Sequence, residues 1–227
     1  MVPYGEADAI VTLFTEKVGK VSALALAARK SRRRFAAALE PMHALTVTLD
    51  EREGAELLAL REATVSRARA HLLGDLDRLS AAGQALRWVR AGSPPRTAEP
   101  EVWAELSALL DRLDDATDTL PPATHLAASG LRLLRYLGYG LELDSCVRCA
   151  RVCEPGRAAH VAAAQGGLIC QACGGGQSPV HHLVDGPTRR RLSAAARGRD
   201  AALEPRDTAL ALQLVDEALE AHAGVER

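Results

Sequence analysis

The sequence predicts an α+β chain: a small N-terminal β-barrel, then a helical domain that carries a four-cysteine insert. Three observations predict it. Residues 1 to about 65 hold short β-branched and apolar runs broken by turns. Beyond about residue 65 the apolar residues recur at helical spacing. All five cysteines fall between 146 and 173.

The elements follow in order. Ile10 to Thr15 is one strand and Val21 to Ala27 a second. Leu45-Thr46-Val47-Thr48-Leu49 alternates apolar and hydroxyl side chains, the period of a half-buried strand. A polar turn over Asp50 to Gly54 leads to a returning strand over Leu57 to Ala63. Short strands at this spacing suggest a small barrel. Leu72, Leu76, Leu79 and Leu86 then mark one helix, and Val102, Leu106, Leu109, Leu110 and Leu113 the next, with Gly92-Ser93-Pro94-Pro95 as the loop between them. Leu120-Pro121-Pro122 precedes a helix over His125 to Leu137, which Gly138-Tyr139-Gly140 ends. Pro187 to Arg197 and Pro205 to Ala221 read as two more helices, each with proline near its start, where the missing N–H costs little. Trp88 and Trp103 are expected in the core, and Gly174-Gly175-Gly176 as a short hinge. The domains are thus placed at 1–65 and 66–227, with the cysteine insert at 144–176.

At 48% hydrophobic and 3% aromatic, the 227-residue chain must build its core from Leu, Ala and Val. The net charge of −1 argues against wholesale polyanion binding, but its distribution says more. Residues 1–40 carry seven cations and four acids, and 41–130 nine and fourteen; residues 131–199 carry ten and four, and 200–227 two and seven. A polyanion should therefore meet the N-terminal block and the cysteine-bearing block. No apolar run approaches the ~20 residues that cross a bilayer, and no signal-peptide pattern opens the chain. The expected place is the cytoplasm, where thiols stay reduced and clustered cysteines bind metal more often than they pair.

Cys146-x2-Cys149 and Cys170-x2-Cys173 form two knuckle-like pairs across a 20-residue spacer. Four thiolates fill a tetrahedral zinc ion and leave no open position, so the predicted Zn2+ site is structural. Cys153 is the extra thiol. It has the spacing to replace Cys149, but the paired pattern favours Cys149. His160, His181 and His182 have ligand chemistry too; with four cysteines present they read as surface residues. A thioredoxin-like redox pair fits poorly, since the motif is not set in a βαβ unit.

No catalytic constellation is found. There is no P-loop and no G-x-S-x-G elbow, and Glu6 and Asp8 read as turn residues. A nucleic-acid enzyme with catalytic zinc would need an open metal position and a nearby base, which four thiolates deny. Arg29, Lys30, Arg32, Arg33 and Arg34 instead place five cations within six residues, with Lys17 and Lys20 just before them. Phe35 stands beside them, and an aromatic next to cations can stack on a base. These seven cations are the candidate phosphate contacts. Arg189-Arg190-Arg191 reads as a solvated helix face.

The pattern resembles the RecO family of bacterial DNA repair proteins. The resemblance is carried by Tyr4-Gly5-Glu6-Ala7-Asp8, Ile10-Val11-Thr12-Leu13-Phe14-Thr15, Gly19-Lys20, Ala28-Arg29-Lys30-Ser31-Arg32-Arg33-Arg34-Phe35 and Leu39-Glu40-Pro41. It continues in Leu137-Gly138-Tyr139-Gly140-Leu141, Leu143-Asp144, Cys146 and Gly166-Gly167-Leu168-Ile169-Cys170. It implies that the barrel is an OB-fold and that the chain is not an enzyme but a recombination mediator. Such a protein binds single- and double-stranded DNA and anneals complementary strands. With RecR it helps RecA replace single-stranded DNA-binding protein, and it works in the cytoplasm at the nucleoid. Two departures follow. A further apolar strand usually precedes the Tyr-Gly-Glu turn, whereas only Met1-Val2-Pro3 precede Tyr4, so either the first barrel strand is missing through a misplaced start or another segment closes the barrel. The family's Arg-Phe-Glu-like run, which helps dock the acidic tail of single-stranded DNA-binding protein, is replaced by Ala127-Ala128-Ser129-Gly130; Arg132 and Arg135 are the cations left for that role. The alternative is a protein–protein adaptor with weak DNA binding.

Overall fold

Five strands form the N-terminal sheet of the computed structural model, which describes residues 1–30, 35, 38–51, 57–199 and 203–224. They are β1 (Val2–Tyr4), β2 (Asp8–Thr15), β3 (Gly19–Ala25), β4 (Ala44–Asp50) and β5 (Leu58–Arg67), in the order β1-β2-β3-β5-β4. All neighbours are antiparallel except β3 and β5, which pair in parallel through Ala23↔Leu58 and Leu24↔Ala59. This is the strand order of an OB-fold. β3 shows why the sheet curls around one side: Val21, Ala23 and Ala25 are buried while Ser22 is exposed. Val11, Ala23, Ala25, Phe35, Ala38, Leu60 and Ala63 form the barrel core.

Val2–Tyr4 pairs with β2 through Val2↔Ile10, Pro3↔Ala9 and Tyr4↔Asp8. Pro3 is tolerated because β1 lies at the sheet edge, where a lost N–H breaks no ladder. The strand escaped sequence reading because three residues with a central proline carry no periodicity.

Six helices follow among the described residues: α1 (Ala70–Leu73), α2 (Leu76–Gly92), α3 (Pro100–Asp114), α4 (Pro122–Tyr136), α5 (Gly186–Ala196) and α6 (Thr208–Ala223). Side chains cap two of them. Asp75 accepts from the N–H groups of Asp77 and Arg78 at the start of α2, and Asp185 from Thr188 at the start of α5. Pro100 and Pro122 open α3 and α4. α4 is the central helix, buried continuously over Leu126–Leu134 and packed on α2, α3, α5 and α6. Gly130 permits that approach: a Cβ there would lie 2.8 Å from Trp88 Cζ3. Trp88 is core, as expected, and donates from Nε1 to Asp216 Oδ1 at 2.8 Å. Trp103 is half-buried and meets Phe14 of β2 with ring centroids 6.2 Å apart, so it serves the seam between barrel and helices.

Polar contacts fix that seam. Arg69, 3% exposed, donates to Asp111 Oδ1 from Nε and one terminal nitrogen, and to the Met42 carbonyl at 2.7 Å. Arg67 bonds Oδ2 of the same Asp111 at 2.6 Å. Gly19 has φ +64, and a Cβ there would fall 1.7 Å from the Thr97 carbonyl oxygen.

The cysteine segment contains strands that its sequence did not announce: β6 (Ala159–Ala162), β7 (Gly167–Ile169) and β8 (His182–Val184), ordered β7-β6-β8. At three or four residues each they are too short to show a period of two. The Gly174-Gly175-Gly176 run forms a close turn. Gly174 and Gly176 sit at φ +95 and +82, and a Cβ on Gly175 would lie 2.3 Å from the Ile169 carbonyl oxygen.

Arg132 of α4 is buried at 4% exposure and grips Glu105 of α3 through two bonds of 2.7 and 2.8 Å. Burial works to raise the Glu105 carboxyl, but hydrogen bonds from Arg132 and Ser129 and the charges of Arg132 and Arg112 outweigh it and hold it below its ordinary range. A carboxyl depressed in this way adds stability above its unfolded pKa, and that stability is lost as pH falls through the folded value. Glu105→Gln should therefore cost about 3 to 4 kcal/mol in urea unfolding at neutral pH. The gap to the native chain should narrow as the medium turns acid.

Candidate metal centre and nucleic-acid face

The metal centre starts from a hairpin. Residues 144–153 fold back through the bridge Ser145↔Val152, with Cys146 donating to the Arg151 carbonyl at 2.9 Å and Cys153 to that of Asp144 at 2.8 Å. Ala150, at φ +57, closes the turn after Cys149. The second pair enters from β7: Cys170 follows Ile169, and a 3-10 turn over Gln171–Cys173 brings Cys173 back. The two halves are stitched by Val147, which donates to the Leu168 carbonyl at 2.9 Å, and by the Cys170 N–H, which donates to Cys146 Sγ at 3.4 Å.

The result gathers the sulfurs of Cys146, Cys149, Cys170 and Cys173 within 4.8 Å of one another. Cys149 Sγ and Cys170 Sγ are 3.7 Å apart. Tetrahedral ligation at a zinc–sulfur bond of about 2.3 Å requires sulfurs roughly 3.8 Å apart, so the cluster has the size of a filled site. All five cysteines are free thiols. Burial disfavours the Cys146 thiolate, but N–H groups of Cys170, Arg148 and Cys149 outweigh it and lower that thiol to about 6. Hydrogen bonds from Cys170 and Cys149, then burial, push Cys173 up to about 12. Four crowded sulfurs cannot all ionise without a cation among them.

Cys153 stands outside the group, with Sγ 3.9 Å from the Glu154 carbonyl oxygen. The histidines stand outside it too. His181 Nδ1 accepts from the Gly176 N–H and His182 Nε2 meets Glu217 at 2.9 Å. His160 stands on β6, opposite Ile169.

The candidate phosphate contacts divide. Lys17 is exposed at the β2–β3 turn, whereas Arg29 and Lys30 are exposed at the other end of that hairpin, beyond the Ala9↔Ala25 pair. At ~3.3 Å per residue the two ends are roughly 20 Å apart. Lys20 donates from Nζ to the Arg90 carbonyl at 2.6 Å, at the C-terminal end of α2, where a cation also meets the helix dipole. Arg32, Arg33 and Arg34 lie outside the described residues. Phe35 is 1% exposed in the barrel core. A ring buried in one cluster with Val11 and Leu60 is not presented to a base.

Arg132 is likewise not a surface cation, since Glu105 holds it inside. Arg135 is exposed and lines a groove of about 310 Å³ between α4 and α5, with Leu131, Leu141, Ala196 and Arg197. The run 189–191 is no solvated face either. Arg189 is 1% exposed, and Arg191 pairs with Asp207 at 2.6 Å; only Arg190 is exposed. Helical spacing turns the first and third of these arginines toward neighbours whose carbonyls and carboxylates lie far away in sequence.

Comparison with known proteins agrees with this architecture. The family description "Recombination protein O N terminal" matches residues 1–69 and "Recombination protein O C terminal" matches 73–227. The DNA repair protein RecO of Anaeromyxobacter sp. (strain K) is 38% identical over 89% of this chain and 76% of its own length. That of Geobacter sulfurreducens is 38% identical over 78% and 70%, and that of Pelobacter propionicus 33% identical over 97% and 87%.

Phe35→Ala tests the core placement. It should lower barrel stability by about 3 to 5 kcal/mol, read by denaturant unfolding; an exposed stacking residue would leave stability unchanged.

Proposed function

The chain belongs to the RecO family of DNA repair proteins, and we propose that it acts as a recombination mediator. On this reading it binds single- and double-stranded DNA, anneals complementary strands and, with RecR, helps RecA onto strands coated by single-stranded DNA-binding protein. It does so in the cytoplasm at the nucleoid. It is a binding protein and not an enzyme: its work is charge neutralisation and strand alignment. We take residues 1–65 as the nucleic-acid-binding barrel and 66–227 as the helical domain, with the insert at 144–176.

The observation that carries the reading is the OB-fold strand order with exposed Arg29 and Lys30 where the chain leaves β3. An OB barrel with a basic segment at one end tracks a phosphate backbone without reading bases. Arg29, Lys30, Arg32, Arg33 and Arg34 form that segment. Lys17 lies too far off to join it on one short stretch of strand, and Lys20 acts through the α2 seam. Arg135, with Arg197 across the apolar groove, is placed to receive an acidic, apolar tail such as that of single-stranded DNA-binding protein. Cys146, Cys149, Cys170 and Cys173 would hold zinc, which supplies cross-linking and no open coordination position.

The adaptor reading draws on the net charge of −1 and on the burial of Arg132 within the helical domain. Annealing of complementary labelled oligonucleotides across a salt series separates the two. The mediator should accelerate annealing, and the effect should fade steeply with salt. Reversal of Arg29, Lys30, Arg32, Arg33 and Arg34 to Glu should weaken binding and flatten the salt slope, since fewer counterions are released. No acceleration by the folded, metal-loaded chain would leave the adaptor. Cys170→Ser should lower zinc content, measured by elemental analysis, and thermal stability, while DNA affinity changes little.

A further inference from the structure

We infer that Arg189 is the positioning residue of the metal centre, the buried group through which α5 holds the first cysteine hairpin in ligating geometry. The inference rests on the zinc reading above.

The hairpin that carries Cys146 and Cys149 has a base formed by Leu143 and Asp144 on one arm and Cys153 and Glu154 on the other. Arg189 bridges that base. One terminal nitrogen donates to the Leu143 carbonyl at 2.5 Å; the other donates to the carbonyls of Cys153 at 3.2 Å and Glu154 at 2.5 Å. The guanidinium thus clamps the chain just before the first ligand pair and just after it. Its planar fork of donors suits this task, and a lysine ammonium does not have that geometry.

The neighbours of Arg189 along α5 serve the same contact. Gly186, Arg189, Ser193 and Arg197 are spaced three, four and four residues apart, which places them on one helical face. A Cβ on Gly186 would fall 2.3 Å from the Gly156 carbonyl oxygen, so the turn that follows the hairpin lies directly on the helix start. Ser193 Oγ donates to Asp144 Oδ2 at 3.2 Å, and Arg197 pairs with that carboxylate. Asp144 is also the carboxylate that Arg189 reaches, at 3.8 Å. Two of the four sulfurs, those of Cys146 and Cys149, therefore stand on a hairpin whose two arms are held by one face of one helix.

Charge points the same way. Four thiolates around a divalent cation carry a net charge of −2. A buried guanidinium whose carboxylate neighbour Asp144 lies 3.8 Å away is stabilised by a filled site, and the filled site by it. The hydrogen-bonded surroundings of ligands commonly set metal affinity to this degree.

The test uses the full chain as wild type, Arg189→Met and Arg132→Met, the last removing a buried arginine of the same helical domain that pairs with Glu105 on α3. Zinc affinity is read by competition with a chromogenic chelator, and thermal unfolding with and without EDTA. Arg189→Met should bind zinc about ten- to a hundredfold more weakly, whereas Arg132→Met should lose thermal stability and keep wild-type affinity. By linkage, zinc should raise the melting temperature of Arg189→Met by less than that of the wild type. Wild-type affinity and an undiminished zinc-induced rise in Arg189→Met would overturn the inference alone. A wild type that takes up no zinc would overturn the zinc reading and this inference with it. Should Arg189→Met not fold, Arg189→Lys carries the comparison: weakened affinity is expected, and wild-type affinity overturns the inference.

Discussion

Buried guanidinium groups hold the layers of this molecule together. Arg69 joins the end of the barrel to α3, Arg132 joins α4 to α3, and Arg189 joins the insert to α5; none is more than 4% exposed. A core of leucine, alanine and valine packs closely but has no directional preference of its own. A planar group with five donors supplies direction, since it is satisfied only when particular carbonyls and carboxylates converge. Arg69 and Arg189 each reach a main-chain carbonyl, which leaves the neighbouring chain little freedom to slide.

These same arginines mark where the sequence could not be read. In a linear reading a cluster of cations is a surface, because a charge buried alone is costly. What makes burial affordable for Arg189 is a set of carbonyls 35 to 46 positions away in the chain, and for Arg132 a carboxylate 27 positions away. Neither partner has any local signature. Phe35 failed in the same manner, since adjacency in sequence to cations says nothing of which way a ring turns.

Local signals were read well. The alternation over Leu45–Leu49 became β4, the apolar spacing over Val102–Leu113 became α3, and the prolines at 100 and 122 stand at helix starts. The four ligand cysteines were legible because a metal centre demands fixed residue types at fixed short spacings. The strands of the insert were not, because runs of three or four residues show no period.

The parallel pairing of β3 with β5 has a consequence for how the chain finds its shape. Ala23 and Leu58 are about 35 residues apart, and no strand lies between β3 and β5 in the sheet. Every other adjacency in the barrel is a hairpin or a meander of near neighbours. The entropy of loop closure therefore falls on this one pairing, and with it the contact order that slows β-rich domains. The cysteine hairpin, by contrast, closes over a handful of residues. The hairpin of the first cysteine pair can thus close ahead of that pairing, while the complete metal centre waits on its own distant contacts, 35 to 46 positions away.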